Sequence, residues 1–144
     1  AYAPGLGAVA VDTPLGLLGL TICYDLRFPE LYSALSRVKA DVIAVPAAFT
    51  VPTGKAHWHT LLRARAIETE AFIVAAAQSG NHEDGRQTYG HSLVVDPWGE
   101  VILEMGEGEG LGVVDIDLTR IAEVRAQIPV HANRREIPTG ITRY

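Results

Sequence analysis

Apolar positions along the chain follow two periods, and the switches between them mark the elements. Residues 7–12 and 15–22 are strand-like apolar runs joined by the turn sequence Asp12-Thr13-Pro14. From Phe28 the apolar residues fall at Phe28, Leu31, Tyr32, Leu35 and Val38. That spacing is one face of an amphipathic helix, and Pro29 suits its first turn. Asp41-Val42-Ile43-Ala44-Val45 predicts a short buried strand closed by Pro46, with a loop over 47–54 after it. A second helix is expected over 57–70, with Trp58, Leu61, Leu62 and Ile67 inward. Residues 72–77 predict another buried strand and 79–88 a polar loop. Residues 92–95 and 101–103 predict a hairpin about Asp96-Pro97-Trp98-Gly99. A strand over 110–116, a helix over 118–127 and an irregular tail over 129–144 complete the pattern. Strands separated by helices early, and hairpins later, give an α/β class with a mixed sheet and helices on its outer face. No internal repeat or low-complexity linker divides residues 1–144, which read as a single domain.

Composition removes several classes. Of the 144 residues, 48% are apolar and 20% charged, ordinary values for a globular protein. The formal net charge of −5 argues against a nucleic-acid binder held by a basic surface. No apolar run reaches the roughly 18 residues of a membrane span, and no signal-peptide pattern opens the chain. One cysteine cannot form an internal disulfide, so a reducing compartment, the cytoplasm, is expected. The chain begins at Ala1-Tyr2 and is strand-like by Gly7, which suggests part of a larger protein.

Cys23 is the leading candidate for chemistry. It ends an apolar strand and precedes Tyr24-Asp25-Leu26-Arg27-Phe28-Pro29-Glu30, which opens a helix. A thiol at such an elbow projects from the sheet's edge, where the following backbone amides can face an oxyanion. The plain alternative is a small core residue. The polar cluster Asp25, Arg27 and Glu30 behind an apolar strand favours catalysis. A phosphatase loop would need Arg where Pro29 stands, and a thioredoxin-like pair needs a second Cys. A Cys–His hydrolase could draw its base from His57, His59, His82, His91 or His131, and nothing selects one.

Arg27, four residues after Cys23, could clamp a substrate carboxylate or pair with Asp25, Glu30 or Glu68. Arg63, Arg65 and Glu68 have the spacing of structural ion pairs. Arg134 and Arg135 read as interface or solvated charges. His57 and His59 would point to different faces of a helix, which disfavours a metal site and leaves a structural role. Gly106-Glu107-Gly108-Glu109-Gly110 resembles a phosphate loop only superficially, because its carboxylates repel phosphate and no GK[ST] follows.

The motifs taken together resemble the nitrilase superfamily of carbon–nitrogen hydrolases. The residues that carry the likeness are Gly19-Leu20-Thr21-Ile22-Cys23-Tyr24-Asp25-Leu26-Arg27-Phe28-Pro29-Glu30, Thr53-Gly54-Lys55-Ala56-His57-Trp58 and Leu62-Arg63-Ala64-Arg65-Ala66-Ile67-Glu68. Tyr89-Gly90-His91-Ser92 and Val94-Val95-Asp96-Pro97-Trp98-Gly99 complete it. Within the superfamily the chain is most similar to the Nit branch, which acts on deaminated glutathione and related ω-amides.

The resemblance implies the C-terminal half of an α-β-β-α sandwich and a thiol amidase with a Cys-Glu-Lys triad. Cys23 falls on the nucleophile, and the amide of Tyr24 on an oxyanion donor. Arg27 matches the residue that holds a substrate carboxylate, while Phe49 and Thr53 match residues that shape the pocket. The Glu and Lys of the triad fall upstream of the matched residues, and neither Lys39 nor Lys55 lies in a matching motif. The 144 residues alone are therefore expected to be inactive. No metal or organic cofactor is implied, and a homo-oligomer is expected. The alternative is a non-catalytic half-length module that binds a partner chain through its open sheet face.

Overall fold

The computed structural model describes residues 3–138 and 140. Strands β1 (Val9–Thr13) and β2 (Gly16–Leu20) form an antiparallel hairpin. Helix α1 (Pro29–Arg37) then returns the chain to β3 (Val42–Ala44), parallel to β2. A short helix α2 (Val51–Thr53), a π turn (Gly54–Trp58) and α3 (His59–Thr69) lead to β4 (Phe72–Ala75), parallel to β3. Strands β5 (Ser79–Asn81) and β6 (Gln87–Tyr89) make a separate two-stranded ribbon. Strands β7 (Leu93–Val95) and β8 (Val101–Glu104) complete a mixed sheet of order β1-β2-β3-β4-β7-β8. Helices α4 (Thr119–Gln127) and α5 (Val130–Asn133) follow.

Strand register sorts the side chains into two faces. Gly19, Ile43, Ile73, Val95 and Val101 align across the sheet beneath α1 and α3. Their core includes Leu26, Tyr32, Leu35, Trp58, Leu62 and Leu93. Gly19 lets α1 approach closely there, since a Cβ would lie 3.0 Å from the Leu35 side chain. The other face carries Leu20, Ala44, Val74, Val94 and Leu103 in register. Helix α4 covers one end of it through Ile121, packed with Val42 and Phe72. Leu20 and Val74 remain 42% and 38% exposed, so much of this face is open and apolar.

Four segments differ from the expected pattern. The loop expected over 47–54 turns helical at Val51–Thr53, where Pro52 suits a first turn. Residues 110–116 form no strand: Gly112 sits against the side chains of Leu103 and Met105, so the segment crosses β8 instead of pairing with its edge. The polar stretch 79–88 is a ribbon, closed by the bonds His82 N–H to Arg86 C=O and Gly85 N–H to His82 C=O, both 2.9 Å. Backbone pairing needs no apolar alternation, which is why its composition read as a loop. Ile67 is 48% exposed rather than inward. The expected tail over 129–144 contains α5, and residues 139 and 141–144 lie outside the described residues.

Helix α3 ends at Glu70, in the left-handed region (φ 53°), with its carboxylate 3.0 Å from Nε2 of His131 on α5. Burial pushes the Glu70 carboxyl up, against the backbone amide of Val130 and the charges of Arg125 and Arg134. Burial also pushes the His131 imidazole down, helped by Arg125, Arg134 and Lys39. Both shifts favour neutral forms, so the contact is not a strong ion pair despite its length. Glu70 favours the fold fully below its ordinary 4.5 and loses that contribution as pH rises through its raised folded value. The His131 contribution is full above 6.5 and is lost as pH falls. Glu70→Gln therefore raises the melting temperature at pH 8, where only the Glu70 penalty acts. At pH 4 it leaves the melting temperature unchanged, and thermal melts at the two pH values check both expectations.

Candidate active site

The parallel ladder runs past the ends of its strands and carries the site on the carboxyl edge of the sheet. Thr21 N–H donates to Ala44 C=O at 3.1 Å, and Cys23 N–H donates to Pro46 C=O at 2.8 Å. Ligands in open α/β sheets are generally bound at this edge. Cys23 itself adopts φ 47°, a left-handed conformation uncommon for a residue with a side chain. The chain thus turns sharply out of β2 into a 3₁₀ turn (Cys23–Arg27), leaving the thiol half-buried. Positive-φ strain in a non-glycine residue at a sheet edge is a recurrent feature of functional positions.

Polar groups lock the elbow from behind. The Asp25 carboxylate accepts from Ile22 N–H at 2.8 Å. Arg65, 5% exposed on α3, donates to Leu26 C=O from Nε at 3.2 Å and from Nη2 at 2.9 Å. Its third group, Nη1, reaches Glu68 at 2.8 Å, and its guanidinium lies 5.1 Å from the centre of the Tyr32 ring. Burial pushes the Tyr32 hydroxyl up to about 12, so it remains protonated at neutral pH. The Thr21 hydroxyl donates to Ala44 C=O at 2.9 Å and accepts from Tyr32 at 3.0 Å. Of the amides that lead the 3₁₀ turn, Cys23 N–H is taken by Pro46 and Asp25 N–H by Ile22 C=O at 3.0 Å, which leaves Tyr24 N–H to serve an oxyanion.

Arg27 forms no ion pair among the described residues: Asp25 caps the turn and Glu68 is held by Arg65. Its guanidinium lies 5.5 Å from the Tyr24 ring centre and 5.1 Å from that of Phe49. Phe49 is buried, its ring 4.9 Å from Trp58. Cys23, Tyr24, Arg27 and Phe49 are thus gathered at one edge. The Thr53 hydroxyl bonds to Thr50 at 3.0 Å, one turn before His57, which touches Arg27. His57 and His59 do diverge, as their spacing implies, with His59 bonding to Glu104 at 2.8 Å. Arg63 donates to Gly99 C=O at 2.7 Å and forms no ion pair among the described residues, and Arg134 donates to the Ser33 hydroxyl at 3.2 Å.

Sequence reasoning missed the Arg65 tether and the His57 contact. The first had a signal, since Leu62, Arg65, Ala66 and Thr69 form the buried stripe of α3 at helical spacing. The second had none, because it depends on the π turn.

A model of the family described as "Carbon-nitrogen hydrolase" matches residues 2–126. Deaminated glutathione amidase of Bos taurus is 53% identical over 125 residues, 87% of this chain and 38% of the relative. The crystal structure of Saccharomyces cerevisiae Nit3, of branch 10 of the nitrilase superfamily, superposes with a TM-score of 0.86 at 37% identity. That match covers 93% of this chain and 49% of the yeast chain. An amidase from Nesterenkonia sp., solved with acrylamide added to its active-site cysteine, has a TM-score of 0.73 at 32% identity over 90% of this chain and 50% of that one. The chain spans less than half the length of the curated relatives it matches.

Proposed function

The chain belongs to the carbon–nitrogen hydrolase family, and from that membership we propose that it supplies the nucleophile and substrate clamp of a thiol amidase. The observation that carries the reading is Cys23, presented at φ 47° beside an Arg27 that no carboxylate neutralises among the described residues. The Cys23 thiolate attacks the side-chain amide carbonyl of a small substrate that bears a carboxylate, such as deaminated glutathione or a related ω-amide. The Tyr24 N–H donates to the oxyanion, and Arg27 binds the carboxylate. Phe49 and Thr53 shape the pocket. Ammonia leaves with a proton, and water then hydrolyses the thioester to a carboxylic acid and the free thiol.

The base and a second oxyanion donor, a Glu and a Lys in this family, come from the half of the fold that precedes these residues. In this reading that half packs on the open row containing Leu20 and Val74. The single domain so completed acts in the cytoplasm as a homo-oligomer, which suits a lone half-buried thiol. Bovine deaminated glutathione amidase, at 53% identity, supports the choice of substrate class.

Arg27→Met tests the clamp. Losing a bidentate charge-assisted pair costs about 3 kcal/mol, or roughly a hundredfold in kcat/KM for a carboxylate-bearing ω-amide. The methyl ester of the same amide, already poor, is expected to change little. Ammonia release from the completed protein measures both, and equal losses on acid and ester would overturn the assignment.

A further inference from the structure

The Arg27 guanidinium needs a fixed direction if it is to hold a carboxylate, and the structure shows what fixes it. Its Nη1 lies 3.3 Å from Nδ1 of His57, and this is its one hydrogen bond among the described residues. Guanidinium nitrogens only donate, so His57 Nδ1 accepts and the imidazole carries its proton on Nε2. The two aromatic rings beside Arg27 limit its tilt but not its rotation in their plane. Only the His57 contact sets that rotation. With Nη1 engaged, the edge made by Nε and Nη2 remains for a bidentate carboxylate.

His57 reaches Arg27 because of the π turn over Gly54–Trp58, which shifts the helical register just ahead of α3. The turn is clamped on both sides. Gly54 presses on the Tyr89 ring of β6, where any Cβ would lie 2.2 Å from Cγ. Trp58 is buried and donates from Nε1 to His91 C=O at 2.8 Å. The exposed His57 side chain therefore stands on a rigid base.

We propose that His57 is a positioning residue, which turns Arg27 through the Nη1–Nδ1 bond so that its Nε–Nη2 edge meets the substrate carboxylate. The inference rests on the reading of Arg27 given above. Its test uses the completed protein, a carboxylate-bearing ω-amide and the methyl ester of the same compound. His57→Ala is expected to raise KM for the acid about fivefold, leave kcat within twofold, and leave KM for the ester unchanged. His57→Asn, whose Oδ1 replaces Nδ1 as acceptor, is expected to restore most of the loss. In an Arg27→Met background His57→Ala adds nothing. Equal effects of His57→Ala on acid and ester, or no rescue by Asn, would overturn the role of His57. If Arg27→Met itself fails to separate acid from ester, the clamp reading fails, and the positioning role with it. Melting temperature distinguishes these results from unfolding, since an exposed side chain leaves it nearly unchanged.

Discussion

Replacing Cys23 by Ala is expected to remove amide hydrolysis almost completely, by about 10⁴-fold or more in kcat, with little change in substrate affinity. The size follows from the route, because without the thiol no thioester forms and only direct attack of water remains. Cys23→Ser is expected to fall nearly as far, because a hydroxyl is a far weaker nucleophile at neutral pH. Fold and binding should survive in both variants. The side chain is half-buried, and the elbow is held by the backbone bond from Cys23 to Pro46 and by the Arg65 tether. Ammonia release, with isothermal titration of the same ω-amide, separates lost chemistry from lost binding. A Cys23→Ala protein that keeps a tenth of its turnover would refute the assignment.

Arg65→Met has the next largest expected effect, and it acts on the fold. The substitution keeps the buried volume but withdraws both donors from Leu26 C=O and the cation from the Tyr32 ring. An orphaned carbonyl and lost charge-assisted bonds together cost about 3 kcal/mol. That corresponds to a fall of roughly 6 °C in the melting temperature of the completed domain. Because the freed carbonyl belongs to the turn that begins at Cys23, local opening of the elbow should also rise. Faster alkylation of Cys23 by iodoacetamide under native conditions would report it. A melting temperature within a degree or two of the parent would show that the tether carries no load.

The sheet and its flanking helices were legible because they answer to burial. Ile43 and Ile73 are both fully buried in register, as their apolar runs imply, and α1 begins at the Pro that suits a first turn. The elbow was legible as a change of period at Cys23, although its left-handed backbone was not. What composition concealed was structure set by backbone pairing or by single contacts. The β5–β6 ribbon is polar and its ladder is satisfied by backbone groups alone. The orientation of His57 depends on one extra residue in a turn that Gly54 and Tyr89 select together, and those two residues lie 35 positions apart. The sequence leaves Arg27 open between clamp and ion pair. The structure places Asp25 on Ile22 and Glu68 on Arg65, and Glu30 forms no ion pair among the described residues.

The most direct test of the central claim is the mass of the peptide containing Cys23, taken from the completed protein acid-quenched during turnover of an ω-amide. The account predicts an adduct on Cys23 equal to the substrate less one ammonia, lost on treatment with hydroxylamine and absent from Cys23→Ala. Steady turnover in Cys23→Ala, or an acyl adduct carried by another residue, would contradict it.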